Sequence, residues 1–214
     1  MSLLLRMAVL AAALWAAAAL ATMLLRSRAL TLRVRFARPA GRVSKGIRYA
    51  LVEGMAPGAK ESVRAHLGTW AAGVAYHLGL ACAFLLLGSC TLAVPLPALL
   101  AMGLASVSGL GALCGLGLLA KRALHPGLRA FSCPDDYASN LLCTGFAALG
   151  CGWGLRIVPA LPFLAWGTLL LLSIPVGKIR HCAFFAATRI QFGAFFGRRG
   201  VLPPAKSASP KAEA

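Results

Sequence analysis

The stretch HLGTWAAGVAYHLGLACAFLLLGSCTL, residues 66–92, decides the fold class of this chain. It contains no Asp, Glu, Lys or Arg over its whole length. A run of about 20 mainly apolar residues is long enough for an α-helix to cross the hydrocarbon core of a membrane, which is roughly 30 Å thick. The stretch therefore predicts a transmembrane helix.

Four more segments have the same character, and the composition of the whole chain agrees with them. Of the 214 residues, 59% are hydrophobic and only 13% are charged, whereas about a quarter of the residues in a soluble domain are charged. Further spans are predicted over about residues 3–25, 98–120, 138–155 and 160–190, the last passing Pro175. We therefore expect an all-α integral membrane protein. Its five-transmembrane-helix bundle covers residues 1–200, and a disordered cytoplasmic tail covers residues 201–214.

The basic residues indicate the orientation of the five spans. The chain has 22 Lys and Arg, 5 Asp and Glu, and a net charge of +17. Most basic residues lie in segments 26–64, 121–129 and 178–214, which share one side of a membrane crossed five times. Only Arg6 and Arg156 fall on the other side. The positive-inside rule then places the N-terminus outside and the C-terminus in the cytoplasm, with an uncleaved first span.

This placement of charge also bears on partners and location. Nucleic-acid binders present a basic face on a folded domain, often with aromatic platforms. Here the cations lie between apolar runs instead. This placement favours a role in setting the membrane orientation and in contacting anionic lipid over a role in binding nucleic acid. We expect a multi-pass protein of a bacterial-type inner (plasma) membrane.

Several function classes are disfavoured by residues that the predicted spans lack. All five acidic residues lie in loops, boundaries or the tail, whereas proton pumps and cation transporters need carboxylates inside the membrane. The seven cysteines form no CxxC pair and mostly occupy apolar runs, where Cys behaves as a small hydrophobe. Gly111 and Gly115 form a small-xxx-small pair, which predicts close helix packing within the bundle in preference to a partner contact.

The four histidines, His66, His77, His125 and His181, are the candidates for chemistry. His77 lies inside the second span, and His66 lies eleven residues earlier, about three helical turns, on the same face. His181 lies near the cytoplasmic end of the fifth span. Because the second and fifth spans run antiparallel, a histidine from each can meet at one depth and clamp a b-type haem. The spacing leaves open whether His66 or His77 pairs with His181.

Other residues fit the same interpretation. Gly73 and Gly79 flank His77 and would leave room for a porphyrin, whose anionic propionates would need cations. Lys178, Arg180 and Arg64 lie at the right boundary for that contact. The alternative for His77 is a buried histidine bonded to a backbone carbonyl.

Five short motifs occur in order along most of the chain from residue 60. They are KESVRAH (60–66), AYHLG (75–79), SCPDDY (132–137), PVGKIRH (175–181) and FGRRGVLP (196–203). With these motifs the chain resembles the gamma (cytochrome b) subunits of respiratory nitrate reductase. It resembles most the short members that are paired with heterodisulfide-reductase-like iron–sulfur proteins, of the sulfite-reduction-complex membrane subunit type.

The resemblance implies a cytochrome b subunit that transfers electrons between the quinone pool and a cytoplasmic iron–sulfur partner, where terminal catalysis takes place. Two-haem relatives have two histidines on each of helices two and five. Here His77 and His181 match one pair, while Leu87 and Phe163 occupy the other two positions. The resemblance therefore implies one haem b, with His77 and His181 as the ligands of its iron.

Two other assignments remain open at this stage. His66 is left as a neighbour of the quinone or the haem, and a second haem held by His66 and His125 is a further alternative. The competing functions are a cofactor-free membrane anchor subunit of a redox complex, and a small-molecule channel or transporter. The lack of intramembrane charge and of internal repeats counts against the transporter.

Overall fold

A computed structural model describes residues 2–29, 38–59 and 61–204 of the chain. These residues form nine α-helices and no strand. The helices are α1 (Ser2–Ala29), α2 (Val43–Leu51), α3 (Glu61–Ala65), α4 (Leu67–Leu92), α5 (Ala98–Leu124), α6 (Pro126–Ala130), α7 (Pro134–Gly154), α8 (Ala160–Ser173) and α9 (His181–Arg198). The chain divides into two compact units: unit 1 from residues 1–22 and 66–180, and unit 2 from residues 23–65 and 181–214.

Three of the described helices are long and apolar enough to cross a membrane: Leu3–Arg28 within α1, then α4 and α5. A fourth span results if α8 and the segment Lys178–Arg198 are counted together as one interrupted span. The 21-residue α7 covers the predicted fourth span but is not among the helices that pass by length and composition. The described chain thus has the helices of a membrane protein, with three to four candidate spans where the sequence predicts five.

The predicted fifth span is interrupted rather than continuous. Helix α8 ends at Ser173, and α9 begins only at His181, after one turn of 3-10 helix at Lys178–Arg180. Pro175 has no amide N–H to donate, and its ring clashes with the carbonyl four residues earlier in a helix. The N–H group of Gly177 bonds back to the carbonyl of Ser173 (3.0 Å) and closes a turn there. The expectation of one helix through Pro175 is therefore corrected.

Unit 1 is organised around a close crossing of α4 and α5. Gly79 and Gly111 face each other, and a Cβ added to Gly111 would lie 2.7 Å from the Cα of Gly79. Gly115 lies one turn further along α5, against the side chains of Tyr76 and Thr144, so α7 packs beside the same two helices. Packing within the bundle, as predicted for Gly111 and Gly115, is confirmed, because both glycines meet helices of this same chain.

Aromatic rings fill the space between α7 and α8. Phe146 and Phe163 are fully buried and stack with their ring centroids 5.5 Å apart. Trp153 stacks on the other side of Phe163 at 5.7 Å. This cluster forms the core of unit 1, together with apolar residues of α4 and with Val9 and Ala12 of α1.

Unit 2 is built on a contact between α2 and α9 that has no room for side chains. A Cβ added to Gly193 would lie 2.6 Å from the carbonyl oxygen of Gly46. A Cβ added to Gly197 would lie 2.8 Å from the Cα of Gly46. The N–H groups of Ala40 and Gly41 donate to the carbonyl of Arg198 at 2.9 and 3.0 Å, which caps the end of α9. Neither helix α2 nor this contact was predicted from the sequence.

The predicted tail begins within the cap of α9. The N–H groups of Val201 and Leu202 donate to the carbonyl of Phe196, at 3.0 and 3.3 Å. Gly200 adopts a positive φ of 73°, which lets the chain reverse there. Residues 205–214, the rest of the predicted tail, lie outside the described residues.

Candidate haem-ligand histidines and the polar cavities of unit 1

His77 lies on an exposed face of α4, with one ring nitrogen engaged. Its Nδ1 lies 2.7 Å from the carbonyl oxygen of Gly73, one turn earlier. A carbonyl oxygen only accepts hydrogen bonds, so Nδ1 carries the proton of the neutral ring and Nε2 keeps its lone pair. Bonding of the second nitrogen to a carbonyl is the usual way in which proteins orient a metal-binding histidine.

The surroundings of His77 on α4 are small and open on one side. A Cβ added to Gly73 would meet nothing within 4 Å, and Ala81, one turn after His77, is exposed. Gly79 has a different role from the one predicted, because it lies against Gly111 in the crossing of α4 and α5. Only Gly73 of the two flanking glycines therefore leaves space beside the histidine.

Leu87 and Phe163, the two positions that the predicted resemblance aligns with further haem-binding histidines, are core side chains here. Leu87 is 3% exposed, and Phe163 is fully buried between Phe146 and Trp153. A Cβ added to Gly167 of α8 would lie 2.9 Å from Leu87 Cδ1. Leu87 and Phe163 have no nitrogen that could bind iron. Other side chains also fill the space around both of them.

The other predicted site residues are distributed between the two units. His181 is exposed and opens α9 in unit 2, and Arg64 is exposed in α3 of the same unit. His77, Lys178 and Arg180 belong to unit 1. The predicted pair of His77 and His181 therefore takes one residue from each unit.

Lys178, predicted as a contact of the haem propionates, is engaged with the start of α7. Its Nζ lies 2.8 Å from Asp136 Oδ1, and its backbone N–H donates to Asp135 Oδ2 at 2.9 Å. Arg122 approaches the same carboxylate of Asp136 at 3.7 Å. The motifs SCPDDY and PVGKIRH are thus joined to each other by hydrogen bonds.

Asp136 also caps its own helix. Its Oδ2 accepts the backbone N–H of Cys133 at 2.9 Å, the residue immediately before α7, and Pro134 occupies the first position of that helix. The hydrogen bond from Lys178, followed by the bond from Cys133, lowers the pKa of Asp136 from its ordinary 3.8 to about 2. The carboxylate is therefore ionised at every physiological pH.

His66 and His125 line one cavity of about 560 Å³ in unit 1, between the start of α4 and the end of α5. His66 lies just before α4, with φ −135° and ψ 48°, so the predicted helical alignment of His66 with His77 does not extend to it. His125 Nδ1 accepts the N–H of Leu128 (3.4 Å) and so caps α6. His125 is exposed and at the same time forms part of the cavity wall.

Two further polar groups of this cavity were not predicted from the sequence. Lys121 Nζ donates to Thr69 Oγ1 at 2.6 Å. The buried Tyr76 donates its hydroxyl to the carbonyl of Asn140 at 3.0 Å and lies 2.9 Å from Thr144 Oγ1. Tyr76 precedes His77 in the chain, and their rings make an edge contact with centroids 6.2 Å apart. A hydrogen-bonded wall of the cavity thus adjoins the candidate ligand.

Comparisons with known proteins found no match for this chain. No protein-family model, curated protein or solved structure matches the chain. Within the described ranges, no group of three or more His, Cys, Asp or Glu side chains is placed to hold a metal ion. The resemblance to the nitrate reductase gamma subunits therefore stays a prediction that rests on the quoted motifs.

Proposed function

We propose that this chain is a membrane cytochrome b subunit that transfers electrons between the quinone pool and a cytoplasmic iron–sulfur partner, of the heterodisulfide-reductase-like kind. One haem b would be held by His77 and His181. The observation that carries the proposal is the geometry of His77. Its Nδ1 is bonded to the Gly73 carbonyl, and its Nε2 lone pair remains available on an open helix face.

Each residue near the proposed site has a definite task. The Gly73 carbonyl holds the ring of His77 in one orientation and makes Nε2 more basic. Gly73 and Ala81 leave room beside the ring for a flat macrocycle. When bound, haem b supplies a one-electron redox centre. Lys178 already pairs with Asp136, so we assign propionate contact to Arg180 and Arg64 first.

A single haem is supported by the packing of Leu87 and Phe163. Both side chains lie in the core of unit 1. Replacing either with histidine would leave no space for a second macrocycle unless α8 moved away from α4. The chain thus carries electrons through one centre, and quinone must approach that centre closely.

The cavity of His66 and His125 supports a place for the quinone headgroup. Its wall offers donors in His66 and Lys121, and quinone oxygens accept hydrogen bonds as carbonyls. The edge contact of Tyr76 with His77 keeps this wall close to the proposed iron ligand. His66 is therefore proposed as a quinone neighbour and not as an iron ligand.

We further propose five spans, with α7 as the fourth and α8 as the start of the fifth. The N-terminus is then outside and the C-terminus in the cytoplasm of a bacterial-type inner membrane. This topology puts the cations of segments 26–64, 121–129 and 178–214 on the cytoplasmic side. An acidic iron–sulfur partner would be attracted to such a surface.

The test is a reduced-minus-oxidised visible spectrum of the full chain, purified in mild detergent from cells with ample haem, together with haem quantified per chain. We expect a b-type spectrum at about one haem per chain. The spectrum should be lost in His77→Ala and in His181→Ala and kept in the matched control His66→Ala.

Other outcomes of this experiment contradict the proposal in distinct ways. Two haems per chain would make His66 an iron ligand and exclude the single-haem assignment. A colourless protein that is folded by circular dichroism would remove the electron-transfer function and leave a cofactor-free membrane anchor of a redox complex.

A further inference from the structure

Two arginines, Arg6 and Arg156, line one cavity at the end of unit 1 where α4 stops and α5 begins. The cavity has a volume of about 430 Å³, and its walls include Ser89, Leu96 and Trp153. These are the two basic residues of the chain that lie outside the three basic segments. The two arginines are far apart in the sequence but line the same cavity.

Among the described residues, no acidic side chain balances this pair of charges. Neither arginine makes an ion pair with any described residue, and Arg6 Nε is buried with no hydrogen-bond partner among them. Asp135 and Asp136 lie at the opposite end of α7 from Arg156, roughly 30 Å away at 1.5 Å per helical residue. A buried guanidinium nitrogen without a partner is costly, and an anion bound in the cavity would supply that partner.

The position of the cavity selects the kind of anion. α4 ends at Leu92 and α5 starts at Ala98, so the cavity lies at the ends of two candidate spans, at the depth of lipid headgroups. Ile157, which follows the lining residue Arg156, and Leu99, two residues before the lining residue Ala101, are 75% and 84% exposed and offer apolar surface to acyl chains. Guanidinium groups match phosphate oxygens in two-bond geometry.

We propose that this two-arginine cavity binds the phosphate group of an anionic phospholipid. Arg6 and Arg156 donate to the phosphate oxygens, and the apolar wall at Leu96 and Trp153 contacts the glycerol and the first acyl carbons. This site is separate from the histidines and from the cavity of His66, so the proposal does not depend on haem binding.

The experiment measures lipid binding by the full chain, delipidated in mild detergent, by native mass spectrometry and by thermal unfolding. The probes are phosphatidylglycerol, phosphatidylcholine with the same acyl chains, and inorganic phosphate. Wild type should retain phosphatidylglycerol in preference to phosphatidylcholine, and its melting temperature should rise with phosphatidylglycerol alone. Arg6→Gln and Arg156→Gln should each weaken this binding roughly tenfold or more, since each removes charge-assisted hydrogen bonds.

Arg26→Gln is the matched control, because it removes the same charge from an exposed position near the other end of α1. Removing Arg6 also takes a cation from the predicted outer side, which preserves the positive-inside balance. The proposal is overturned if phosphatidylglycerol binds equally to wild type and to both cavity variants, or if Arg26→Gln weakens binding as much as they do. It is also overturned if inorganic phosphate alone stabilises wild type as strongly as phosphatidylglycerol, which would make the ligand a soluble anion.

Discussion

The sequence around His77 and the sequence around Lys178 were not equally informative about the roles of these two residues. The place of His77 in an apolar span made it a candidate iron ligand, and the resemblance implied that role; its bond to Gly73 is compatible with it. Lys178 was grouped with the propionate contacts because it precedes His181 in a basic stretch. Its partner is Asp136, more than forty residues away, and no local pattern could have indicated that pair.

The pairing of Asp136 with Lys178 leads to a prediction about pH. The pKa of Asp136 is lowered to about 2 in the folded chain, against its ordinary 3.8. The stabilisation is therefore complete above about pH 4 and is lost as the pH falls towards 2. Asp136→Asn should lower the melting temperature at pH 7 by a few degrees, since losing a cap costs about 1 kcal/mol. The difference from wild type should shrink between pH 4 and pH 2.

Thermal unfolding of both proteins in detergent at several pH values checks this. The control is Glu53→Gln, because the pair of Arg48 and Glu53 is exposed and such pairs contribute little. A difference between Asp136→Asn and wild type that is the same at pH 7 and pH 2 would show that the carboxylate charge is not what stabilises α7.

Among the helices, glycine positions decided the packing and a proline decided a boundary. Gly111 and Gly115 were correctly interpreted as packing positions because they lie on a helix that is visible in the sequence. Gly193 and Gly197 form the same small-xxx-small pattern, but their partner α2 is a short amphipathic helix outside the apolar runs. A search for spans could not find it. Pro175 was noted, but its effect on the fifth span was underestimated.

Gly193→Ala should loosen the contact between α2 and α9. The added methyl group would lie 2.6 Å from Gly46 O and from Ile47 Cα, which are backbone atoms that cannot rotate away. Overpacking of this kind costs about 1–3 kcal/mol, so amide hydrogen exchange in α2 should speed up roughly tenfold or more.

Exchange of α2 peptides, followed by mass spectrometry, measures this directly. Gly58→Ala is the control in the same unit, because nothing lies within 4 Å of its added Cβ. If α2 exchanges at the wild-type rate in Gly193→Ala, the two helices do not pack in the way described.

For the whole molecule, the distribution of basic residues predicts more membrane crossings than the lengths and compositions of the helices do. Length and composition identify three candidate spans, or four if α8 and Lys178–Arg198 count as one, and α7 would then be the fifth. Basic residues nevertheless alternate with apolar runs as five crossings require. Asp135 and Asp136 in the first turn of α7, followed by the polar Ser139 and Asn140, lower the apolar character at the start of this helix.

Reporter fusions on either side of α7 decide between these counts. A fluorescent-protein fusion after His125 should be active in the cytoplasm, and an alkaline phosphatase fusion after Ile157 should be active outside. The positive-inside rule gives this result if α7 crosses the membrane. Activity of the same reporter at both positions would mean that α7 does not cross, and the proposed orientation of α8 and α9 would then fail.

Local composition was enough to establish that the chain is helical and of the membrane type, because an apolar run of about 20 residues has few other stable arrangements. It also predicted the histidines as candidate iron ligands, which the structure does not test. The tertiary structure alone decided which groups meet: Lys178 with Asp136, Gly46 with Gly193, His66 with His125, and Arg6 with Arg156. These meetings depend on how helices cross, and a crossing is set by packing between residues far apart in the chain, which periodicity within one helix does not encode.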